Sequence, residues 1–167
     1  MKQKEDELQF KIGEHVVYPL QGVGVVMDIR TRQIRDRETL NYVIYLDISD
    51  MTVTIPVDKA CVIGIRGIVG ADEAKKAIDS IKDKYEPSTL DWKQRYLANV
   101  ELVKEGSIGN VAKVVQALFH RSRVKELPVQ ERKLYENAMR LLIDEASFAL
   151  DKTTAQIKKM VDENLEK

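Results

Sequence analysis

The chain has 167 residues, with 27 Lys plus Arg against 27 Asp plus Glu, so its formal net charge is zero. At 44% hydrophobic and 32% charged it reads neither as a disordered tail nor as a membrane protein, and no run approaches the roughly 18 apolar residues that crossing a bilayer needs. The start MKQKEDELQF is unlike a secretory signal or transit peptide, and Cys61 is the only cysteine, which leaves neither an internal disulfide nor a Cys-rich zinc site. A cytoplasmic protein is expected. Neutrality also weighs against a nucleic-acid partner, provided that charge is evenly spread.

Two composition regimes meet near residues 64 to 70. Before that point the pattern has period two and is rich in β-branched residues. His15 to Tyr18 reads as a short strand stopped by Pro19, which has no N–H for a ladder. Gln21-Gly22 turns the chain into a second strand, Val23 to Arg32, with Gly24 as a bend or bulge. Arg35 to Thr39 reads as a hairpin loop, and Leu40 to Ile48 as a strand with Tyr42, Ile44 and Leu46 on one face. Met51 to Ile55 is expected as the fourth strand and Cys61 to Ile63 as the fifth. Short sequential strands of this kind suit a small, strongly bent barrel in which closure removes the edges.

From Ala71 onward the period is helical. Helices are expected over Ala71 to Lys82, Leu90 to Lys104, Asn110 to Arg123 and from Pro128 through Ala149, with a last one opened by the capping box Thr153-x-x-Gln156. Ser88, three residues before Asp91, resembles a capping signal for the second of these. Trp92, Tyr96, Val100 and Val103 form its apolar stripe. The expected class is α+β, a small β-barrel followed by an all-helical bundle.

The chemistry-bearing residues are sparse. His15 and His120, the only histidines, have no acid or cysteine at metal-ligand spacing. Cys61, among Ala60, Val62 and Ile63, reads as a buried small hydrophobe. Gly22-Val-Gly24 lacks the rest of a dinucleotide fingerprint and is followed by a strand. No enzyme activity, cofactor or metal is expected. Charge is more informative: residues 1 to 64 hold 8 basic and 10 acidic residues, whereas residues 91 to 140 hold 10 basic against 6 acidic, an excess of +4. A solvated helical surface and a phosphate-binding one both fit that excess. Arg30, Arg32, Arg35 and Arg37 cluster at a strand end and hairpin, and alternation puts Arg30 and Arg32 on one face. They suit either a soluble rim or docking onto an acidic protein surface. Trp92, the only tryptophan, is flanked by Asp91, Lys93 and Arg95 at a helix start. It reads as a core residue or as an exposed apolar wedge of the kind that enters DNA base steps.

Phe10-Lys-Ile-Gly-Glu-His-Val-Val-Tyr-Pro19 followed by Gln21-Gly-Val-Gly24 resembles the opening of the CarD/CdnL family of bacterial transcription regulators, which is shared with transcription-repair coupling factors. Asp91-Trp-Lys-Gln-Arg-Tyr-Leu-Ala-Asn99 is similar to that family's W-x-R-R-Y segment, and Leu134 to Leu150 to its late helix. The resemblance implies a Tudor-like (SH3-like) barrel over residues 1–66, of which 1–9 are an extension, that binds the β subunit of RNA polymerase. It implies a helical domain over 67–167 that contacts promoter DNA at the upstream edge of the melted region. Trp92 would wedge into the minor groove there without base-specific readout and stabilise the open complex, and Lys93 and Arg95 would contact phosphates. Arg30, Arg32 and Pro56 would face the polymerase. Gln94 stands where the family motif has its first arginine, Leu97 where some members have a cation, and Thr54 where some have an interface arginine. A monomer localised to the nucleoid through polymerase is expected. The other reading is a polymerase-bound adaptor whose helical domain binds another protein, with Trp92 buried.

Overall fold

The computed structural model describes residues 8–167, and the chain divides into two compact units between Ile68 and Val69. The sheet unit contains β1 (His15–Tyr18), β2 (Gly22–Ile34), β3 (Arg37–Leu46), β4 (Met51–Pro56) and β5 (Arg66–Gly67), with one helix, α1 (Val57–Ile63). All pairings are antiparallel and the order is β4-β3-β2-β1-β5. Among the described residues β4 and β5 are the ends of this order, and the five-stranded antiparallel sheet is that expected of the small Tudor-like unit. Phe10, Val16, Val26, Tyr42, Ile44, Leu46, Ile55, Ala60 and Ile65 form its core.

Three expectations for this unit need correction. Cys61 to Ile63 is helix rather than strand, and Cys61 is exposed. Proline cannot extend the β4 ladder beyond Pro56, Asp58 favours a helix start, and Gly64 at φ 92° supplies the left-handed stop. Only Ala60 of α1 is buried, so the apolar run Cys61-Val62-Ile63 gave a strand signal without a core behind it. The hairpin loop is two residues, Arg35-Asp36, because β2 and β3 stay paired out to Ile34 opposite Arg37. The strand irregularity sits at Met27, between Val26 and Asp28, and Gly24 serves another purpose. A β carbon at Gly24 would lie 2.8 Å from Ile44 Cγ2 and 2.9 Å from the Tyr45 carbonyl oxygen. Residues 1–7 of the expected extension lie outside the described residues, but Leu8 packs on the core, and the backbone N–H groups of Gln9 and Phe10 donate to the Tyr42 hydroxyl at 3.0 and 3.2 Å.

The helical unit comprises α2 (Ala71–Ser80), α3 (Trp92–Glu105), α4 (Ile108–Val124), α5 (Val129–Leu150) and α6 (Thr154–Leu165). The long α5 packs against each of the others, and α4 against α2, α3 and α5. Their facing side chains include Val111, Val114, Val115 and Leu118 of α4 with Leu134, Ala138, Leu141 and Leu142 of α5, all buried. The periodicity needed to bury such a stripe is why α4 and α5 are the longest helices. Asn164 Nδ2 donates to the Ile78 carbonyl at 2.9 Å and ties α6 to α2. Thr153 and Gln156 make both bonds of the capping box. No helix among the described residues is long and apolar enough to cross a membrane.

Because the close neighbour of Gly24 is partly backbone, repacking cannot relieve an added methyl. Gly24→Ala is expected to lower stability by about 1–3 kcal/mol, read as a shift of the urea midpoint with an unchanged slope.

Candidate functional site

In the sheet unit the extra residue at Met27 decides which way the arginines point. Val26 pairs with Ile44 and faces the core, and strict alternation would send Asp28, Arg30 and Arg32 inward after it. The bulge reverses the parity. Ile29, opposite Tyr42, takes the core face, and Asp28, Arg30 and Arg32 take the outer one. Arg30 pairs with Asn41, which pairs with Pro56 on β4, so Arg30 and Pro56 lie in one cross-strand row with one strand between them. Arg32, opposite Thr39, continues the same face past the end of β4. The structure thus brings Arg30, Arg32 and Pro56 to one side of the sheet. It also places Asp28 there, whose carboxylate accepts from Arg30 Nε at 2.6 Å. That bond, helped by the Ile29 N–H, holds the Asp28 carboxyl below its usual pKa. Asp28 carries no signal in the sequence, because its bond to Arg30 depends on the outward face that the bulge gives them both.

In the helical unit Trp92 opens α3. Asp91, not Ser88, is the N-cap, and its Oδ1 accepts the Gln94 N–H at 2.9 Å; Ser88 Oγ instead accepts from the Leu90 N–H at 3.2 Å. A carboxylate cap also complements the positive end of the helix dipole, which explains its preference over the hydroxyl at Ser88. Trp92 is 38% exposed, Lys93 Nζ lies 5.8 Å from the ring centroid, and Leu90 and Leu97 are exposed nearby in sequence. Lys93 and Gln94 are also exposed.

Arg95 is placed differently from the expectation. It is 7% exposed, and its Nε and Nη2 donate to the two carboxylate oxygens of Glu131 at 2.7 and 2.8 Å. Glu131 is fully buried. A guanidinium engaged in this fork-on-fork pairing is not presented to a phosphate, so the phosphate contact expected of Arg95 is corrected to an internal ion pair. The bonds to Glu131 raise the already high pKa of Arg95, against the opposing effect of desolvation. The remaining donor, Nη1, reaches the Leu90 carbonyl at 3.4 Å, just ahead of the cap. The buried face of α3 is Arg95, Asn99 and Val103, rotated from the apolar stripe that begins at Trp92; Tyr96 and Val100 are half-buried at its flank. Asn99 Nδ2 is buried without a hydrogen-bond partner among the described residues. Glu131 carried no signal in the sequence beyond being an acid in a first helical turn.

Breaking the pair leaves an uncompensated buried charge. Glu131→Ala should destabilise the chain by about 3–5 kcal/mol, whereas the double variant Arg95→Met, Glu131→Leu should lose less than either single change. Chemical denaturation of the four proteins in a double-mutant cycle measures both.

Comparison with known proteins matches each unit separately. A family model described as "CarD-like/TRCF RID domain" covers residues 10–69, and one described as "CarD, C-terminal domain" covers residues 76–162. The chain is also 34% identical over 149 residues to "Putative transcription factor YdeB" of Bacillus subtilis (strain 168), an alignment spanning 89% of this chain and 97% of that protein. Both halves of the family architecture are present in one chain and in order, and the chain belongs to the CarD family.

Proposed function

We propose that this protein is a transcription regulator that docks on the β subunit of RNA polymerase through the outer face of its sheet unit and stabilises the promoter open complex through its helical unit. The observation that carries the reading is Trp92. It stands partly exposed at the first residue of a capped helix, with a lysine over its ring, one turn ahead of a buried ion pair. An apolar ring held on a rigid support can fill the space between bases that have already separated, which costs less than forcing apart an intact step. Lys93 would supply a phosphate contact. Arg95 acts one layer below, by fixing the helix start that carries the wedge. Arg30, Arg32 and Pro56 would form part of the polymerase contact, and the Asp28–Arg30 bond would hold one guanidinium flat along the sheet. The relative's name, a putative transcription factor, and the RID description of the first unit support the same reading. Polymerase tethering would raise the local concentration of the helical unit, so weak affinity for free DNA suffices.

The deciding experiment is the lifetime of heparin-challenged open complexes formed with purified cognate polymerase. Trp92→Ala should keep most of the stability of the fold, with a loss well below the roughly 3–5 kcal/mol typical of a fully buried tryptophan. It should shorten the lifetime by about five- to a hundredfold, the worth of one stacked base. A lifetime equal to that of the unaltered protein sinks the wedge.

Arg32→Glu should weaken binding to the polymerase β subunit by about tenfold, as charge reversal in a polar contact does. DNA affinity of the full chain should fall as salt rises; an affinity indifferent to salt favours the adaptor reading.

A further inference from the structure

The first residue of α3 that is buried is Arg95, a full turn after Trp92. The Arg95–Glu131 pair fixes the rotation of α3 from within, and the segment that precedes Trp92 is the other support of the helix start. That segment, residues 81–91, has no helix or strand. It is gripped from α4 instead. Gln116 Nε2 donates to two of its carbonyl oxygens, Ile81 at 2.9 Å and Asp83 at 2.8 Å. One turn further along the same helix face, the His120 ring stacks on Tyr85, with centroids 4.8 Å apart and planes 14° from parallel. Phe119 meets the His120 ring edge-on at 5.5 Å, and the Arg123 guanidinium lies 5.0 Å from the Phe119 centroid. Residues 81, 83 and 85 are thus held at alternate positions by two side chains of one helix. Beyond them the chain is taken up by the Ser88–Leu90 bond, by the Leu90 carbonyl on Arg95 and by the Asp91 cap. The segment is thus held from α4 as far as Tyr85 and again from Ser88 to the Asp91 cap, with residues 86 and 87 spanning the interval.

We propose that Gln116 and His120 form a clamp that sets the presentation of Trp92, which makes them positioning residues for the wedge; the inference rests on that reading of Trp92. Water could replace the bond to the carbonyl of Asp83, an exposed residue, whereas the bond to the carbonyl of buried Ile81 also contributes to stability as one buried hydrogen bond does. Their effect is to remove freedom from the support of a side chain that must meet a target in one orientation.

Trp92 is the only tryptophan in the chain, so fluorescence excited at the red edge, where the six tyrosines do not absorb, reports on this position alone. In the double variant Gln116→Ala, His120→Ala, acrylamide quenching and the fast component of the anisotropy decay should each rise about twofold while cooperative thermal unfolding is retained. Restoring a flat ring with His120→Phe in the Gln116→Ala background should recover much of the change. If the double variant fails to fold, His120→Ala alone is expected to give a smaller rise of the same kind. Quenching and anisotropy unchanged from the unaltered protein in any folded clamp variant overturn the clamp. The open-complex lifetime gives the second readout, with a shortening of about fivefold expected for the folded double variant. An unchanged lifetime there, where Trp92→Ala shortens it, removes the positioning role. If Trp92→Ala itself leaves the lifetime unaltered, the wedge reading fails, and the fluorescence of the clamp variants still decides whether Gln116 and His120 hold Trp92.

Discussion

A guanidinium and a carboxylate withdrawn from water together fix the starts of two helices in the helical unit. Taking either charge out of water alone would cost several kcal/mol, and only the two-point geometry between Arg95 and Glu131 compensates it. Such a bond is directional where apolar packing is not, so it sets the rotation of α3 about its own axis. With Arg95, Asn99 and Val103 turned inward, Trp92 is left at the margin of the buried face and Lys93 and Gln94 outside it. The exposed tryptophan is a consequence of where the arginine had to go.

The same pair changes how the local charge is understood without changing its amount. Residues 91 to 140 hold 10 basic and 6 acidic residues, and setting aside Arg95 and Glu131 leaves 9 and 5, still an excess of +4. Some surface cations are also matched, Arg132 by Glu126 and Arg123 by Glu166. Exposed pairs of that kind are weak and open readily, so they leave the field of this segment positive. On the proposed function, one basic segment in a neutral chain suits a helical unit that polymerase brings to DNA.

In the sheet unit a single inserted residue plays the corresponding part. The bulge at Met27 exchanges the two faces of β2, so that Ile29 enters the core and the arginines face out beside Pro56. Reading Arg30 and Arg32 as sharing a face needs only period two. Assigning that face to the outside needs the bulge, and no residue in Val26-Met27-Asp28 announces one. Cys61-Val62-Ile63 failed for a related reason: three apolar residues look alike to a strand or a helix, and Gly64 in the left-handed region decides between them. The Thr153–Gln156 box was legible because all of its partners lie within four residues of chain.

By itself the sequence determined the division into a sheet unit and a helical unit, most element boundaries and the family motifs around Gly22 and Trp92. These depend on periodicity, caps and turn residues, whose physics acts over a few neighbours. Tertiary structure alone decided that Arg95 is internal, that Arg30 and Arg32 face outward, and that Gln116 and His120 reach the segment before Trp92. Each of those outcomes turns on a partner distant in sequence or on strand register. Glu131 lies 36 residues from Arg95, and Ile81 lies 35 from Gln116. A side chain's charge states what it can bind, but the fold determines whether water, a neighbour or a macromolecular partner is there to be bound.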